Sequence, residues 1–355
     1  MDKIDELVLA LEKDFGKGVA VRGRDLAQES IVRVPTGVFI LDYLTLGGLP
    51  GGKVTLLRGK EGSCKTLVAL LAAKSYQGLC SECLIPTCKC KKPKKLSVCF
   101  MDAENKYPQK LAESTGIDFE RFFKIRPENS EQAIDMIEQV LRNESVGFFI
   151  LDSIASLVPM VEIEKSAVEW QQGYMAREIN KAIRKMNGAM GARAQAGRAP
   201  TVVLINQDRF KIGIPYGDPS TIPGGEGQKF ISSLILKSWP VSLRRENKDG
   251  DQNEMPTKIT VKFTVMKHSY GPAHVDGEYS LLLHDGGGPC VKDEGWAKRA
   301  VQIAQARGLV EGSGKHLSLL GEKYTNAEAI ERIVEADAEK GAALKRALMA
   351  IQQAV

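Results

Sequence analysis

One segment sets the architecture of this chain: Gly59-Lys60-Glu61-Gly62-Ser63-Cys64-Lys65-Thr66. It follows an apolar, strand-like run over Lys53–Leu57 and opens a helical pattern over Thr66–Tyr76. A glycine-rich turn between a strand and a helix is typical of the P-loop, whose backbone N–H groups hold phosphate oxygens at the helix N-terminus. We therefore predict that the whole segment binds a nucleotide, with Lys65 reaching the β- and γ-phosphates and Thr66 binding Mg²⁺.

Cys64 stands where the P-loop pattern has its last glycine. The position adjoins the start of the helix, so we expect near-helical backbone angles there that do not require glycine. A side chain at this point could still crowd a phosphate or change the dynamics of the loop. The prediction of nucleotide binding depends on Lys65 and Thr66, which are retained.

Short apolar runs alternate with helical patterns along the middle of the chain. Strands are predicted at Leu96–Met101, Val146–Leu151 and Thr201–Ile205, with a helix at Ser130–Arg142 between the first two. This alternation indicates an α/β fold in which helices cover both faces of a mostly parallel sheet. Lys258–Met266 instead alternates apolar with polar residues, which predicts an antiparallel strand with one exposed face.

Acidic and amide side chains follow the predicted strands at their C-terminal ends. Glu104 comes just after the second strand, Asp152 just after the third and Gln207 just after the fourth. In P-loop enzymes one such acid supports Mg²⁺ and another orients the attacking water. We assign the first role to Asp152 and the second to Glu104. Gln207 could hydrogen-bond a γ-phosphate and report its presence to the segment that follows.

The composition, with 43% apolar and 26% charged residues, excludes collagen-like, mucin-like and mostly disordered chains. The length of 355 residues suggests two or three folding units. A net charge of +5 is too small to demand a polyanionic partner. The longest apolar stretch, Val146–Val161, contains Asp152 and is shorter than the about 20 residues of a membrane span. No basic-then-apolar signal segment opens the chain, so we expect a cytoplasmic protein.

Ordered markers along nearly the whole chain resemble those of the bacterial RecA recombinases. The markers are Phe15-Gly16-Lys17-Gly18, Pro35-Thr36-Gly37, Leu46-Gly47-Gly48-Leu49-Pro50, Asp102-Ala103-Glu104, Leu151-Asp152-Ser153, Asn206-Gln207, Lys211-Ile212-Gly213, Gly224-Gly225 and Lys229-Phe230. So many markers in one order are far more specific than a P-loop alone. The departure at Cys64 is similar to that of the phage UvsX-type recombinases, which implies a phage-encoded member.

The resemblance implies a helical filament on single-stranded DNA, with ATP and Mg²⁺ at subunit interfaces, that catalyses homologous pairing and strand exchange. Two loops, 162–173 and 208–225, are implied to line the filament axis. The residues implied to bind DNA are Trp170, Gln172, Arg177, Asn180, Arg184, Arg209, Lys211, Ile212, Gly224 and Gly225. Basic side chains would contact phosphates, while Trp170 would stack on a base and Ile212 would wedge between bases. Gln207 would couple the nucleotide to the second loop.

The resemblance also implies three regions. These are an N-terminal helix and linker (1–32) that packs on the adjacent subunit, a RecA-like ATPase core (33–289), and a small α+β domain (290–355) that gathers double-stranded DNA. Lys267 falls where the family places a lysine over the neighbouring subunit's γ-phosphate, and Ser269 replaces the family's second lysine. Leu111 takes the position of the family's aromatic residue at the nucleotide base, with Tyr107 nearby. Single-strand-binding and loader proteins are implied as further partners.

The family lacks an insertion that this chain carries over residues 79–95, which contains Cys80, Cys83, Cys88 and Cys90. Four thiolates at this spacing match a tetrahedral zinc site, and a segment too short to bury a core would need the metal for its order. The zinc would be structural, because four thiolates leave no open position. Two disulfides or free thiols are the alternatives. The adjoining run Lys91–Lys95 either contacts a DNA strand or a partner, or keeps the loop soluble.

Two other functions stay compatible with the same residues. One is a different RecA-fold ATPase, such as a ring helicase or a clamp-type regulator, although the first helix and Phe15–Gly18 favour a filament. The other is a DNA-binding filament protein that uses ATP mainly as a structural switch. Cys64 and Ser269 keep this second function open, and slow hydrolysis with intact strand pairing would select it.

Overall fold

The computed structural model describes residues 2–16, 19–25, 31–80, 88, 90, 95–157, 160, 174–210, 220–245, 256–284, 289–314 and 316–354. Helices in these ranges cover both faces of one large sheet, and a smaller α+β unit follows at the C-terminal end. Every helix in these ranges is too short or too polar to cross a membrane.

The strands and helices of the described residues have the following bounds. The strands are β1 (Arg33–Val34), β2 (Leu49–Pro50), β3 (Val54–Gly59), β4 (Ser97–Asp102), β5 (Phe122–Ile125), β6 (Val146–Asp152), β7 (Thr201–Gln207), β8 (Arg209–Phe210), β9 (Ser220–Thr221), β10 (Ser232–Arg245), β11 (Pro256–His268), β12 (Val275–His284), β13 (Pro289–Glu294), β14 (Val310–Ser313), β15 (His316–Leu319) and β16 (Glu322–Tyr324). The helices are α1 (Lys3–Phe15), α2 (Phe39–Leu44), α3 (Lys65–Gln77), α4 (Gln109–Ser114), α5 (Ser130–Arg142), α6 (Tyr174–Gln195), α7 (Gly227–Ile231), α8 (Trp296–Ala306), α9 (Ala327–Ala336) and α10 (Ala338–Ala354).

Within the described ranges, nine strands form one sheet in the order β13-β12-β11-β10-β3-β7-β6-β4-β5. The six strands from β10 to β5 run parallel to one another, and β11, β12 and β13 extend the sheet antiparallel. The predicted α/β class with a mostly parallel sheet is therefore confirmed. The alternating segment Lys258–Met266 lies inside the antiparallel strand β11. The predicted domain boundary at residue 290 falls within β13, which pairs with β12 in the large sheet.

Successive residues of the central strands belong to two cores, one on each face of the sheet. In β6, Phe148 and Ile150 pack in the core that α3 covers, while Phe149 and Leu151 pack in the core that α5 and α6 cover. All four side chains are at most 2% exposed. Side chains alternate between faces along a strand, and both faces are apolar here. The central strands therefore have continuous apolar sequences.

The C-terminal unit has a core of its own, which α2 completes. Phe39 and Tyr43 of α2 pack there against side chains of α8, α9 and α10. The apolar pattern over 326–351 predicts one helix, whereas the structure has two. Asp337 lies between them in an extended conformation, and its carboxylate accepts hydrogen bonds from the backbone N–H groups of Glu339 and Lys340, at 3.0 and 3.1 Å. These bonds cap the start of α10, so α9 ends there.

The first helix presents an uncovered apolar face. Ile4, Leu7 and Phe15 of α1 are 53, 57 and 72% exposed. Arg22 forms ion pairs with Asp2 and Asp5, which hold the following segment against the start of the helix. An amphipathic helix gains its stability mainly by packing its apolar face. The face is open in the single chain, and its packing on an adjacent subunit stays a prediction.

Candidate active site

Strand register brings the predicted nucleotide-binding residues to one edge of the sheet. Gly59 lies opposite Gln207, and Asp102 lies opposite Asp152. A cleft of about 660 Å³ opens at this edge. Its lining is formed by Glu61, Gly62, Ser63, Cys64, Lys65, Thr66, Leu67, Glu104, Lys106, Leu111, Asp152, Ile205, Gln207, Pro240, Leu243, Ile259 and Leu283. Because parallel strands end together at this edge, the loops that follow them meet around the cleft.

The backbone of the P-loop corrects one prediction about Cys64. Cys64 has φ 58° and ψ 23°, which is the left-handed region and not the near-helical conformation that we expected. This region favours glycine, because a Cβ approaches the following carbonyl oxygen. The P-loop pattern has glycine here for that conformational reason. Burial raises the pKa of the Cys64 thiol to about 12, so the thiol stays protonated at neutral pH.

Lys65 lies folded back onto the loop that carries it. Its ammonium group donates hydrogen bonds to the carbonyl oxygens of Gly59 at 3.1 Å and Lys60 at 2.6 Å, and to Ser63 Oγ at 3.3 Å. Burial lowers the pKa of Lys65, and the nearby carboxylate of Asp152 opposes that shift. A phosphate in the cleft would supply a stronger acceptor for this ammonium than neutral carbonyl groups do.

Thr66 and Asp152 form an oxygen pair of the kind that binds Mg²⁺. Thr66 Oγ1 donates a hydrogen bond to Asp152 Oδ2 at 2.6 Å. Burial raises the pKa of Asp152 to about 6, and the neighbouring Glu104 adds to that shift. A buried carboxylate beside a second acid gains from a cation, and Mg²⁺ prefers oxygen ligands together with substrate phosphates. The two residues therefore fit the predicted magnesium role.

Glu104 is oriented by two hydrogen bonds to the same oxygen. Ser153 Oγ donates to Glu104 Oε1 at 2.6 Å, and Gln207 Nε2 donates to it at 3.0 Å. The predicted water-orienting acid and the predicted γ-phosphate sensor are thus in direct contact. The sequence reasoning did not assign a role to Ser153. Its position directly after Asp152, at the end of β6, was the available signal.

A second cavity of about 440 Å³ adjoins the cleft and shares Leu111 and Leu283 with it. Pro108, His284 and Pro289 are among its other lining residues. Leu111 thus lines both cavities, and its contact with a base stays a prediction. Tyr107 instead packs its ring against Phe100 and Phe122, with centroid distances of 5.1 and 5.8 Å. The walls near Leu111 and Leu283 are apolar, which suits the flat faces of a nucleobase.

Both ends of the predicted second DNA loop are tied to the end of β7. Asn206 Nδ2 donates to Pro223 O at 3.0 Å and to Gln228 Oε1 at 2.7 Å. One residue past Gln207, Asp208 forms an ion pair of 2.7 Å with Arg58, and both side chains are buried. Arg58 also donates to Ser220 Oγ at 3.0 Å, on the returning side of the loop.

Six of the ten predicted DNA-binding residues lie in the described part of the chain. Arg177, Arg184 and Arg209 are exposed, whereas Asn180 is half-buried. Gly224 and Gly225 have positive φ of 87° and 78°, and a Cβ at Gly224 would lie 2.2 Å from Ile179 Cδ1 of α6. These glycines allow the returning loop to approach α6. The loop 162–173 with Trp170 and Gln172, and also Lys211 and Ile212, lie outside the described residues.

Lys267 lies away from the cleft of its own chain. Lys267 pairs with Ile235 of β10, and Ile235 pairs with Leu56 of β3. Leu56 lies three residues before the end of β3 at Gly59, where the cleft opens. The ammonium group of Lys267 donates to the carbonyl oxygens of Lys229 at 3.0 Å and Phe230 at 3.4 Å. The placement is compatible with the prediction that Lys267 acts on the nucleotide of a neighbouring subunit.

Three of the four predicted zinc ligands converge. The Sγ atoms of Cys80, Cys88 and Cys90 lie within 4.8 Å of one another. Cys80 is buried, and the other two are half-buried. Cys83 lies outside the described residues, as do Lys91–Lys94.

Comparison with known proteins finds relatives over most of the chain. Residues 2–286 match the RecA N-terminal domain family. A Protein RecA from Bifidobacterium longum is 32% identical over 324 residues, which cover 90% of this chain and 72% of that protein. A Protein RecA from Mycobacteroides abscessus is 31% identical over 327 residues, which cover 91% of this chain and 84% of that protein. A Protein RecA from Chloroherpeton thalassium is 32% identical over 347 residues, which cover 95% of this chain and 86% of that protein. The chain therefore belongs to the RecA family of DNA-dependent ATPases, which act in DNA recombination and repair.

Proposed function

We propose that this chain assembles filaments on single-stranded DNA, hydrolyses ATP there, and catalyses homologous pairing and strand exchange. The observation that carries the proposal is the hydrogen bond from Gln207 to Glu104. It joins the acid that would orient the attacking water to the strand end from which the second DNA loop departs. Coupling between hydrolysis and DNA binding requires a link of this kind.

Each group of residues in the cleft would have a separate role in ATP hydrolysis. The P-loop N–H groups and the Lys65 ammonium bind the phosphates and fix their orientation. The Glu104 carboxylate accepts a hydrogen bond from the attacking water and holds it in line with the γ-phosphorus. Thr66 and Asp152 would hold Mg²⁺, which neutralises phosphate charge when it is bound. The apolar walls around Leu111 and Leu283 would receive the base.

The coupling runs through the end of β7. A γ-phosphate oxygen would compete with Glu104 for the amide of Gln207, because an anionic oxygen is a strong acceptor. A shift of Gln207 moves the neighbouring Asn206 and Asp208. Asn206 hydrogen-bonds Pro223 and Gln228 where the loop returns. Asp208 pairs with Arg58 of β3, which in turn donates to Ser220 on the returning side of the loop. The loop would therefore change its order with the state of the nucleotide.

Self-assembly has support from surfaces that a single chain leaves open. The apolar face of α1 is exposed, and Phe230 is 80% exposed at the end of α7. Lys267 hydrogen-bonds the carbonyl oxygens of Lys229 and Phe230 and does not line its own cleft. A neighbouring copy of the chain could cover these apolar groups and receive Lys267 at its nucleotide. The exposed Arg177, Arg184 and Arg209 would neutralise DNA phosphates along the filament.

A second function, in which ATP serves mainly as a structural switch, is favoured by Cys64. Its left-handed conformation places a side chain where the pattern has glycine, within the loop that must hold the phosphates. Binding and filament formation could then persist with slow turnover. Single-strand-binding and loader proteins would assist assembly under either function.

The proposed function is tested by replacing Glu104 with Gln, which keeps the shape and removes the charge. Loss of an orienting carboxylate should lower DNA-stimulated ATP hydrolysis by about 10²–10⁴-fold. Filaments on single-stranded DNA, imaged by electron microscopy with ATP, should persist. Glu113→Gln, an exposed change in the same segment, is the matched control and should hydrolyse ATP like the wild type.

Three results would point elsewhere. Closed rings instead of filaments would favour a ring ATPase. Filaments and strand pairing with negligible wild-type turnover would select the structural-switch function. Equal hydrolysis by Glu104→Gln and the wild type would remove Glu104 from the mechanism.

A further inference from the structure

The cysteine cluster occupies a defined place in the fold, far from the cleft. Helix α3 begins at Lys65 in the cleft and ends at Gln77, three residues before Cys80. Strand β4 starts at Ser97, shortly after the insertion, and ends at Asp102, two residues before Glu104. The cluster therefore sits between the outer ends of two elements whose inner ends carry active-site residues. That edge of the sheet is opposite the cleft.

One side of the cluster is anchored firmly to the domain. Gln77 Nε2 donates to Asp118 O at 2.8 Å, and the N–H of Asp118 donates to Gln77 Oε1 at 2.8 Å. Tyr76, one helical turn before Cys80, packs its ring 5.4 Å from that of Phe148 in the central strand β6. Cys80 itself is 5% exposed. Its thiol thus belongs to the packed part of the domain, while Cys88 and Cys90 come to it from the far end of the insertion.

The geometry of the three sulfur atoms matches the requirement of a single metal ion. A tetrahedral zinc site with Zn–S distances of about 2.3 Å places its sulfur atoms about 3.8 Å apart. The observed separations, all within 4.8 Å, need an adjustment of about 1 Å at most. Thiolates are soft ligands that select zinc over magnesium or calcium.

We propose that Cys80, Cys88 and Cys90 bind one structural zinc ion that fastens the insertion to the C-terminal end of α3. The proposal is independent of the recombinase function. The ion orders a segment that has too few residues for a core, and it does not take part in ATP chemistry, because the cluster lies at the sheet edge opposite the cleft.

The first test measures metal and thiols on the full-length protein purified with a reductant. We expect about one zinc ion per chain, in keeping with one closed thiolate site. In the native protein, N-ethylmaleimide should label Cys80, Cys88 and Cys90 slowly, and a zinc chelator should accelerate the labelling at these positions. Cobalt(II) in place of zinc should give the charge-transfer and d–d absorption of a tetrahedral thiolate site.

The matched variants are the double substitution Cys88→Ser and Cys90→Ser, and the single substitution Cys290→Ser. Cys290 is also half-buried but lies on β13, outside the cluster. The double variant should retain less than about one tenth of the zinc, while Cys290→Ser keeps all of it. ATP hydrolysis should persist in both, so loss of the zinc can be told apart from failure of the proposed function.

The proposal is overturned if the reduced wild type takes up no zinc, or if mass analysis shows disulfides among these cysteines in the freshly reduced and metal-supplied protein. Equal zinc loss in Cys290→Ser and the double variant would overturn it as well. Chelation of the wild type needs no substitution, so the test holds even where the double variant fails to fold.

Discussion

The left-handed conformation of Cys64 predicts a specific order of stability for two substitutions. Cys64→Gly removes the Cβ that is strained at φ 58°, whereas Cys64→Ala keeps that Cβ. Both substitutions remove the same thiol, which packs against the core beneath α3. The difference between the two variants therefore isolates the backbone term from the loss of packing.

The magnitude follows from two opposing contributions. A non-glycine residue in the left-handed region costs about 1–2 kcal/mol. Glycine offsets about 0.4–1 kcal/mol of the relieved strain, because it has more conformational freedom than alanine in the unfolded chain. With the middle of each range, Cys64→Gly should be more stable than Cys64→Ala by about 0.8 kcal/mol. For a core of this size that corresponds to about 1–4 °C in melting temperature.

The assay is thermal unfolding without nucleotide, with a control pair in the helix that follows. Lys74 is exposed within α3, where the backbone is right-handed. At that position the order should reverse, with Lys74→Ala more stable than Lys74→Gly by about 1 kcal/mol. Cys64→Ala matching or exceeding Cys64→Gly would refute the reasoning, because the strain at Cys64 would then have no energetic effect.

Three further predictions concern groups near the cleft. Asp152 has a pKa of about 6 against an ordinary 3.8, so its ionised form destabilises the protein without metal, and that loss is relieved as the pH falls through 6. At pH 8, Asp152→Asn should therefore raise the free energy of unfolding by up to about 3 kcal/mol, and with it the melting temperature; at pH 5 the gain should be smaller. The same substitution should weaken Mg²⁺-dependent ATP binding. A lower melting temperature of the variant at pH 8 would contradict this prediction. Arg58→Met leaves the carboxylate of Asp208 buried and unpaired, and should cost about 3–5 kcal/mol in urea unfolding, while adding Asp208→Leu should recover most of it; additive losses would argue against the pairing. Gly59→Ala would place a Cβ 1.8 Å from Ser238 O, whereas a Cβ at Gly62 meets open space. Thermal unfolding should therefore show a much larger loss of stability for Gly59→Ala than for Gly62→Ala. Equal losses in the two variants would contradict the contact.

Much of the nucleotide site was predictable because it depends on local sequence. The P-loop segment and the acids at strand ends follow from motif spacing, and the apolar face of α1 follows from helical periodicity. These patterns need only the neighbours of each residue along the chain. The alignment of Gly59 with Gln207 and of Asp102 with Asp152, and the exposure of the α1 face, needed the structure.

Other features needed contacts between distant segments. The orientation of Glu104 by Ser153 and Gln207 joins the ends of three separate strands. The break at Asp337 depends on side-chain capping, which an apolar pattern does not record. The conformation of Cys64 was predicted wrongly, because the motif was interpreted from the helix that follows and not from the turn that precedes it.

Sequence alone therefore identified the fold class, the phosphate-binding loop and the residue types of a RecA-family ATPase. Tertiary structure alone placed Glu104 in contact with Gln207, paired Arg58 with Asp208 across the base of the second loop, and brought Cys80 to Cys88 and Cys90. The reason is physical. Periodicity and motif spacing report the local environment of each residue, whereas hydrogen bonds and ion pairs between strand ends depend on how the whole sheet assembles.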